Sequence, residues 1–300
     1  MTIAACYLSP EGVVLGSDST STYMDRGHPK HYNHGQKLFE VGQHNSVGMV
    51  TWGVGGLNFG SHRTLIARLA DQHIDMKAAS VHDIAIDWIE LFWREYQSCF
   101  GSEILDLQQL DKKIPFHPAN PLPNPRARTP QEELSFRTMR NDLVVGFCIG
   151  GYVRSDRRPC AYEIIFDPLN GKPTAIELSY GQSFWGVPSL ISRLLNGCAD
   201  ELRLSILGSP KWNGTEAELD SLIRNHTLSH PATVPIRDAI DFTYACLLTT
   251  VKAMKFSSLP QVCGGPIELA VITTDRAFRW VRHKPWDAAI LEGARDDHVQ

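Results

Sequence analysis

The N-terminal stretch MTIAACYL places a threonine directly after the first methionine and at the start of an apolar, β-prone run. A threonine hydroxyl is a weak nucleophile that needs a neighbouring base. If Met1 is removed, as a small second residue favours, the free α-amine of Thr2 can be that base, because its pKa of roughly 7.7–8.0 suits proton transfer near neutral pH. Taken alone, Thr2 is equally an ordinary strand residue, so its interpretation depends on the rest of the chain.

Two other motifs indicate different chemistry, but each lacks a part that the chemistry requires. The glycines of WGVGG at 52–56 resemble a phosphate-binding turn, yet Asn58 stands where GxGxxG needs its third glycine, and the preceding segments look like hairpins. His28, His31 and His34 have His-x-x-His spacing without a fourth ligand. We therefore predict no dinucleotide, no metal and no other cofactor.

Composition narrows the class of protein. The chain has 300 residues, of which 43% are hydrophobic and 21% charged, with a net charge of −4. These values are typical of a globular protein and give no basic excess for nucleic acid. No apolar run approaches the roughly 20 residues that span a bilayer, and no signal peptide is recognisable. Seven scattered cysteines without a CxxC motif favour reduced thiols. We therefore expect a cytoplasmic protein without membrane or nucleic-acid partners.

The elements that must position Thr2 begin with strands. Apolar runs at 2–8 and 13–19 flank the turn SPEG, and runs at 37–41 and 46–53 flank GQHN. Proline, glycine and asparagine are typical of hairpin turns, so these patterns predict two opening antiparallel hairpins. Residues 23–34 between them are expected to form a longer loop.

Helical spacing of apolar residues follows at 57–74 and at 81–100, with Ser80 as the N-cap of the second helix. Residues 101–141 are expected to be an insertion. Within it, six prolines and no apolar period at 115–130 predict a surface loop.

The rest of the chain alternates strands and helices. Strands are predicted at 142–152, 160–168 and 173–181, helices at 187–204, 215–226 and 236–256, and a closing hairpin at 265–275 and 277–281. Hairpins rather than βαβ units predict an α+β fold with antiparallel sheets between helices. We expect one domain over 1–300, a further insertion near 203–234 and a loose tail at 285–300.

Six stretches carry a resemblance to a known family. In chain order they are TIAACYLSPEGVVLGSDSTST, KLFEV, GMVTWGVGGL, DLVVGFCIGGY, YGQS and CGGPIELAVIT. Together they resemble proteasome β-type subunits, including the bacterial HslV-like peptidases that begin at Met-Thr. The resemblance runs from residue 2 to about 283, and the first stretch is its most specific part. It implies the four-layer αββα sandwich of the N-terminal nucleophile hydrolases, with two antiparallel sheets between helices.

The resemblance also implies roles for five residues. Thr2 is the nucleophile, the Lys37 cation favours loss of its proton, and Asp18 pairs with that lysine. The backbone N–H of Gly53 donates to the oxyanion, and Thr22 contacts the substrate backbone. A lysine at a strand edge and an aspartate in a turn are each common by themselves. The assignment therefore depends on the order in which Thr2, Asp18 and Lys37 occur along the chain.

Two positions depart from the family pattern. Members commonly have Asp-x-x-Ser before the paired glycines, but this chain has LPQVCGG, with Pro260 and Cys263. A proline side chain cannot hydrogen-bond and a thiol does so weakly, which would weaken or abolish activity. The usual serine of the YGQS stretch aligns with Gln182, with Ser183 beside it. Ser183 and Cys263 are therefore expected to support the site, and an inert buried Cys263 is favoured over a second nucleophile.

The sequence thus predicts a threonine endopeptidase subunit of a homo-oligomeric ring that cleaves peptides or unfolded proteins. An ATP-dependent unfoldase is a partner implied by analogy with the family. A catalytically silent ring subunit and a small-molecule amidase or acylase on the same fold stay open as alternatives. Trp88, Trp93 and Tyr96 are expected either to contact a neighbouring subunit or to pack against the helix at 57–74.

Overall fold

The computed structural model describes residues 2–25, 28–42, 45–57, 60–75, 80–117, 125–153, 155–228, 234–257 and 262–284. The strands are β1 (Ile3–Ser9), β2 (Gly12–Ser17), β3 (Ser21–Asp25), β4 (His28–Tyr32), β5 (Leu38–Glu40), β6 (Val47–Gly53), β7 (Val145–Gly151), β8 (Cys160–Phe166), β9 (Ile176–Glu177), β10 (Gly181–Gly186), β11 (Glu268–Thr273) and β12 (Arg276–Arg282). The helices are α1 (His62–Asp75), α2 (Val81–Asp111), α3 (Pro130–Leu143), α4 (Ser189–Asn196), α5 (Asp200–Leu207), α6 (Glu216–Arg224) and α7 (Ile236–Phe256).

Ten of these strands form two five-stranded sheets. The first sheet has the order β10-β1-β2-β11-β12, and the second has the order β5-β6-β7-β8-β9. Every neighbouring pair within them is antiparallel. The pairs β1–β2, β5–β6 and β11–β12 confirm the three predicted hairpins.

Three apolar cores separate four layers. One core lies between the two sheets and includes Leu15, Val50 and Trp52. A second joins the outer face of the β5–β9 sheet to α1, α2 and α3, and the third joins the first sheet to α4 and α7. The architecture is therefore α+β with the layer order αββα, as predicted.

Strand β1 is packed on both faces, which explains why it is apolar from Ile3 to Leu8. All seven of its residues are buried. Ile3, Ala5 and Tyr7 belong to the core beneath α4 and α7, whereas Ala4, Cys6 and Leu8 belong to the core between the sheets. A one-residue slip would exchange these two faces. The register of β1, and with it the position of Thr2 at its start, is therefore strongly specified.

The helical half of the sequence prediction needs three corrections. The segment predicted as one helix at 187–204 forms α4 and α5, with left-handed backbone at Gly197 between them. Helix α1 begins at His62 rather than near Leu57, which instead bridges to Gly60. Helix α2 continues to Asp111 through non-helical backbone at Phe100, and α3 occupies residues 130–143, so most of the segment 101–141 is helical. The Ser80 N-cap of α2 is confirmed, because its hydroxyl accepts the Asp83 N–H at 3.1 Å.

The strand prediction was wrong at two places. Within and next to the loop predicted at 23–34, Ser21–Asp25 and His28–Tyr32 form the paired strands β3 and β4. The strand predicted at 173–181 is reduced to β9, and YGQS leads into β10 instead of ending a strand before a helix. Strands β3 and β4 are rich in polar residues and form a two-stranded sheet of their own, and β9 is an edge strand, so local preference is a poor guide to strand length in both places.

The aromatic side chains of α2 pack inside the subunit. Trp88 and Tyr96 are fully buried, and both contact the second sheet, Trp88 through Phe147 and Tyr96 through Phe166. Trp93 stacks on Phe166 with the ring centroids 6.3 Å apart. The expectation that these rings contact a neighbouring subunit was wrong for Trp88 and Tyr96. The second sheet covers a wider face of α2 than the spacing of its apolar residues indicates.

No helix in the described ranges is both long enough and apolar enough to cross a membrane. The predicted tail at 285–300, Pro260 and Asn58 lie outside the described residues.

Candidate active site

Asp18 is the centre of the site. It follows β2 directly and is fully buried. Its Oδ1 accepts hydrogen bonds from the Ile3 N–H at 3.2 Å and the Lys37 ammonium at 2.7 Å. Its Oδ2 accepts from the N–H groups of Thr20 at 3.2 Å and Gly264 at 2.8 Å. Hydrogen bonds of this kind stabilise the charged carboxylate and fix its orientation.

Lys37 precedes β5 and points into the protein. Its side chain is 8% exposed, and its ammonium donates to Asp18 and to the Thr20 carbonyl oxygen at 2.6 Å. A lysine ammonium has three N–H donors. These two bonds use two of the three, so one donor is left for a further group at the site.

Thr2 lies beside this ion pair. Its neighbour Ile3 exchanges two hydrogen bonds with Asp18, since the Asp18 N–H also donates to the Ile3 carbonyl at 3.1 Å. The Ile3 nitrogen and the Lys37 ammonium share the same Asp18 oxygen, which brings the cation within two hydrogen bonds of the Thr2 main chain. Thr2 itself is 3% exposed. The structure thus brings together Thr2, Asp18 and Lys37.

The environment of Lys37 favours loss or sharing of a proton. Burial is the largest influence and lowers its pKa below the ordinary lysine value, whereas the charge and hydrogen bond of Asp18 raise it. Cys263 also raises the pKa of Lys37, and Lys284 lowers it. The net effect is a lowered pKa of Lys37.

Gly186, at the end of β10, closes over the main chain of Thr2. Its φ is +87°, and a Cβ at this position would lie 1.7 Å from the Thr2 carbonyl oxygen. Only glycine permits this approach. The sequence analysis did not identify Gly186, although a glycine one residue before Val187-Pro188 was a signal for such a turn.

Gly53 ends β6 in the same way that Gly186 ends β10. Its φ is also +87°, and it is the exposed last residue of an otherwise buried strand. The preceding residues, Trp52 and Trp185, stack with their centroids 4.6 Å apart and their planes 7° from parallel. The stack places the ends of β6 and β10 at the same edge of the sandwich as Thr2. Strand β6 is antiparallel to both neighbours, which removes the βαβ context of a dinucleotide site.

Cys263 is buried among apolar side chains next to the ion pair. Burial raises its pKa to about 12, the nearby Asp18 charge adds to this, and Lys37 opposes it. The thiol is therefore neutral near pH 7, which is unsuitable for a thiolate nucleophile. The backbone of the next residue, Gly264, contributes to the site instead. Its N–H donates to Asp18, and its carbonyl oxygen accepts hydrogen bonds from the N–H groups of Ser19 and Thr20 at 3.0 and 3.1 Å.

Thr22 lies in β3, on the hairpin that follows the site. Its hydroxyl is 3.1 Å from Nδ1 of His31 in β4, and both side chains are exposed. No cluster of three or more histidine, cysteine or acidic side chains with the arrangement of a metal site occurs within the described ranges.

Ser183 is not brought to the nucleophile. In the antiparallel pairing of β1 with β10 it lies opposite Cys6, whereas Gly186 lies opposite Ile3. Gln182 is one position further away, opposite Tyr7. Besides the predicted residues, backbone atoms of Ile3, Thr20, Gly186 and Gly264 hold the site.

No protein-family model and no curated protein matches the chain. Among solved structures, Anbu from Hyphomicrobium sp. strain MC1 superposes with a TM-score of 0.50 at 12% identity, covering 98% of this chain and 94% of that one. The chain has the same fold as this Anbu. The proteasome-like αββα fold expected from the resemblance is thereby confirmed.

Two further Anbu structures are similar. Anbu (ancestral beta-subunit) from Yersinia bercovieri has a TM-score of 0.47 at 13% identity and covers 100% of this chain and 95% of that one. A Gly-1 mutant of the Hyphomicrobium protein has a TM-score of 0.48 at 14% identity and covers 99% and 95%. Similarity at such identities concerns the fold and does not extend to the chemistry of the site.

Proposed function

We propose that this protein is a proteasome-like threonine peptidase whose nucleophile is Thr2. The observation that carries the proposal is the buried Asp18–Lys37 pair, hydrogen-bonded to the main chain of Ile3 next to Thr2. Burying an ion pair is costly unless its geometry is good and further hydrogen bonds satisfy both ions. Such a pair at the start of a fully buried strand is better explained by chemistry at Thr2 than by stability alone.

In the proposed reaction the Thr2 hydroxyl attacks the carbonyl carbon of a peptide bond. With Met1 removed, the α-amine of Thr2 accepts the hydroxyl proton and later delivers it to the leaving amine. The third N–H of the Lys37 ammonium stabilises the developing alkoxide, and Asp18 holds the ammonium in place. The Gly53 N–H donates to the oxyanion. Water then hydrolyses the acyl-enzyme and frees Thr2.

An extended peptide is the substrate that the surroundings favour. Strand β3 pairs with β4 on one side, and no described strand pairs with its other side. An unpaired strand edge offers backbone N–H and C=O groups to an extended chain. Thr22 is the second residue of β3, and we propose that its backbone pairs with the substrate.

A comparison of peptide and small amide substrates tests the proposed class. We expect the wild-type protein to cleave at least one member of a panel of fluorogenic peptides, and to cleave small N-acyl amides much more slowly. The Thr2→Ala variant measures the background in both assays. Cleavage of N-acyl amides alone would support the amidase alternative. Absence of Thr2-dependent cleavage in both panels, with Met1 removed, would contradict the proposal and support a silent subunit.

We further propose a homo-oligomeric ring in the cytoplasm, because a peptidase that is not enclosed in a chamber is hazardous to other proteins. The buried rings of α2 do not provide its contact, but Leu105 on α2 and Leu134 on α3 are 61% and 66% exposed. Helices α2 and α3 cover the same face of the second sheet, so these two leucines are the positions at which we place the proposed contact. An ATP-dependent unfoldase is the partner that an HslV-like member would have.

Light scattering tests the ring. We expect a mass several times 33.5 kDa at micromolar concentration. We expect Leu105→Glu to lower this mass, because it places a charge in an apolar contact. The matched control is Leu202→Glu, at an exposed leucine of α5. A mass near 33.5 kDa for the wild type would contradict the ring.

A further inference from the structure

A second buried ion pair lies directly behind the Asp18–Lys37 pair. Glu268, the first residue of β11, is fully buried. Its Oε2 accepts a hydrogen bond from the Lys284 ammonium at 3.0 Å, and Nδ1 of His283 lies 2.7 Å from its Oε1. The Lys284 side chain is 14% exposed. A buried carboxylate needs a cationic or hydrogen-bonding partner, and the Lys284 ammonium is that partner here.

This pair connects the two chain segments that carry Asp18 and Lys37. Glu268 is the register partner of Ser17, the residue before Asp18. The Lys284 ammonium also donates to the Gly35 carbonyl oxygen at 3.2 Å, two residues before Lys37, and the Gly35 N–H donates to the Ser19 carbonyl at 2.8 Å. Lys284 therefore joins β11 to the segment that delivers Lys37.

We propose that Lys284 and Glu268 are positioning residues, which hold the Gly35–Lys37 segment against β2 and set the electrostatic field at the Lys37 ammonium. This inference rests on the proposed function for its catalytic consequence. The structural consequence, a change at Lys37, can be measured without substrate.

The charges around Lys37 give the direction of the effect. Asp18 raises its pKa by charge and hydrogen bond, Cys263 also raises it, and Lys284 lowers it, all against a larger lowering by burial. Cys263 acts only as a thiolate, and its own pKa of about 12 keeps it neutral near pH 7. Removing the Lys284 charge takes away a neighbouring cation and leaves Glu268 without its main partner. Both changes favour the protonated form of Lys37.

The experiment follows the titration of Lys37 by NMR of its side chain, assigned with Lys37→Arg, in five proteins. We expect Lys284→Met to shift this titration to higher pH. We expect Lys284→Arg, which keeps the charge and the hydrogen-bond donors, to leave it unchanged. The double variant Glu268→Gln/Lys284→Met removes both charges, so its titration should return toward the wild type. Lys252→Met on the exposed face of α7 is the matched control and should have no effect.

Kinetics provide the second readout. A misplaced Lys37 should lower kcat for peptide cleavage about tenfold or more in Lys284→Met, because small displacements at a reacting centre have large effects. The value of KM should change little. Unchanged Lys37 titration in Lys284→Met would overturn the inference, even if the variant is less stable. Absence of hydrolysis in the wild type would instead contradict the proposed function, and the titration would still decide this inference.

Discussion

Thr2→Ala is expected to reduce peptide hydrolysis by at least about 10³-fold, to the level of the background reaction. Removing a nucleophile abolishes the covalent pathway and leaves only the contributions of binding and oxyanion stabilisation. The fold should tolerate the change, because alanine keeps the main-chain contacts of Thr2 with Gly186 and leaves the Ile3–Asp18 hydrogen bonds intact. Initial rates with a fluorogenic peptide, together with the unfolding midpoint, measure both effects.

Two variants separate the hydroxyl from the amine. Thr2→Ser keeps both groups and should retain measurable hydrolysis. Insertion of a lysine between Met1 and Thr2 should prevent removal of Met1, since a bulky second residue disfavours it, and turns the Thr2 amine into an amide. That protein should be as inactive as Thr2→Ala although the hydroxyl is present. Intact mass confirms the state of each N-terminus. Hydrolysis by the insertion variant at the wild-type rate would refute the amine as the base.

The position of Asp18 beside Thr2 is a local consequence of the sequence. The turn at Pro10 and Glu11 joins β1 to β2, and the register places Ser17 opposite Ala4, so that Asp18 falls opposite Ile3. A short turn and two apolar runs therefore sufficed to predict the hairpin that carries Asp18, whereas the role of Asp18 was implied by the family resemblance. Lys37 is not placed by this hairpin. It enters from the second sheet, and only the family resemblance connected it with Asp18.

The parts that the sequence did not predict depend on contacts between distant segments. The bond from the Gly264 N–H to Asp18 spans 246 positions, and the bond from Lys284 to Gly35 spans 249. Each bond has a backbone group of a glycine as one partner, the Gly264 N–H as donor or the Gly35 carbonyl as acceptor, and backbone groups leave no residue-type signal. Helix α2 was predicted too short because Phe100 interrupts the helical geometry, although helical spacing resumes with the buried Ile104 and Leu107. Tertiary packing, rather than local preference, carries the helix through that point.

Lys37→Ala is expected to lower kcat/KM for peptide hydrolysis by about 10²–10⁴-fold, the usual contribution of a positioned acid–base group. The variant should also be less stable by about 3 kcal/mol or more, because Asp18 then lies buried without its cation. Rates must therefore be compared at a temperature where circular dichroism shows both proteins fully folded. Replacement of the exposed Lys252 by alanine controls for loss of a lysine elsewhere.

Chemical rescue separates the charge of Lys37 from its packing. Alanine leaves a cavity beside Asp18 that a small primary ammonium ion can enter, whereas methionine fills the same space with an uncharged chain of similar length. We expect ethylammonium to restore part of the rate of Lys37→Ala and none of the rate of Lys37→Met. Rescue should saturate with ammonium concentration, since it requires binding next to the Asp18 carboxylate. If both folded variants keep the wild-type rate while Thr2→Ala is inactive, the lysine has no part in the reaction, and the buried pair serves only to fix β2 against the start of β1.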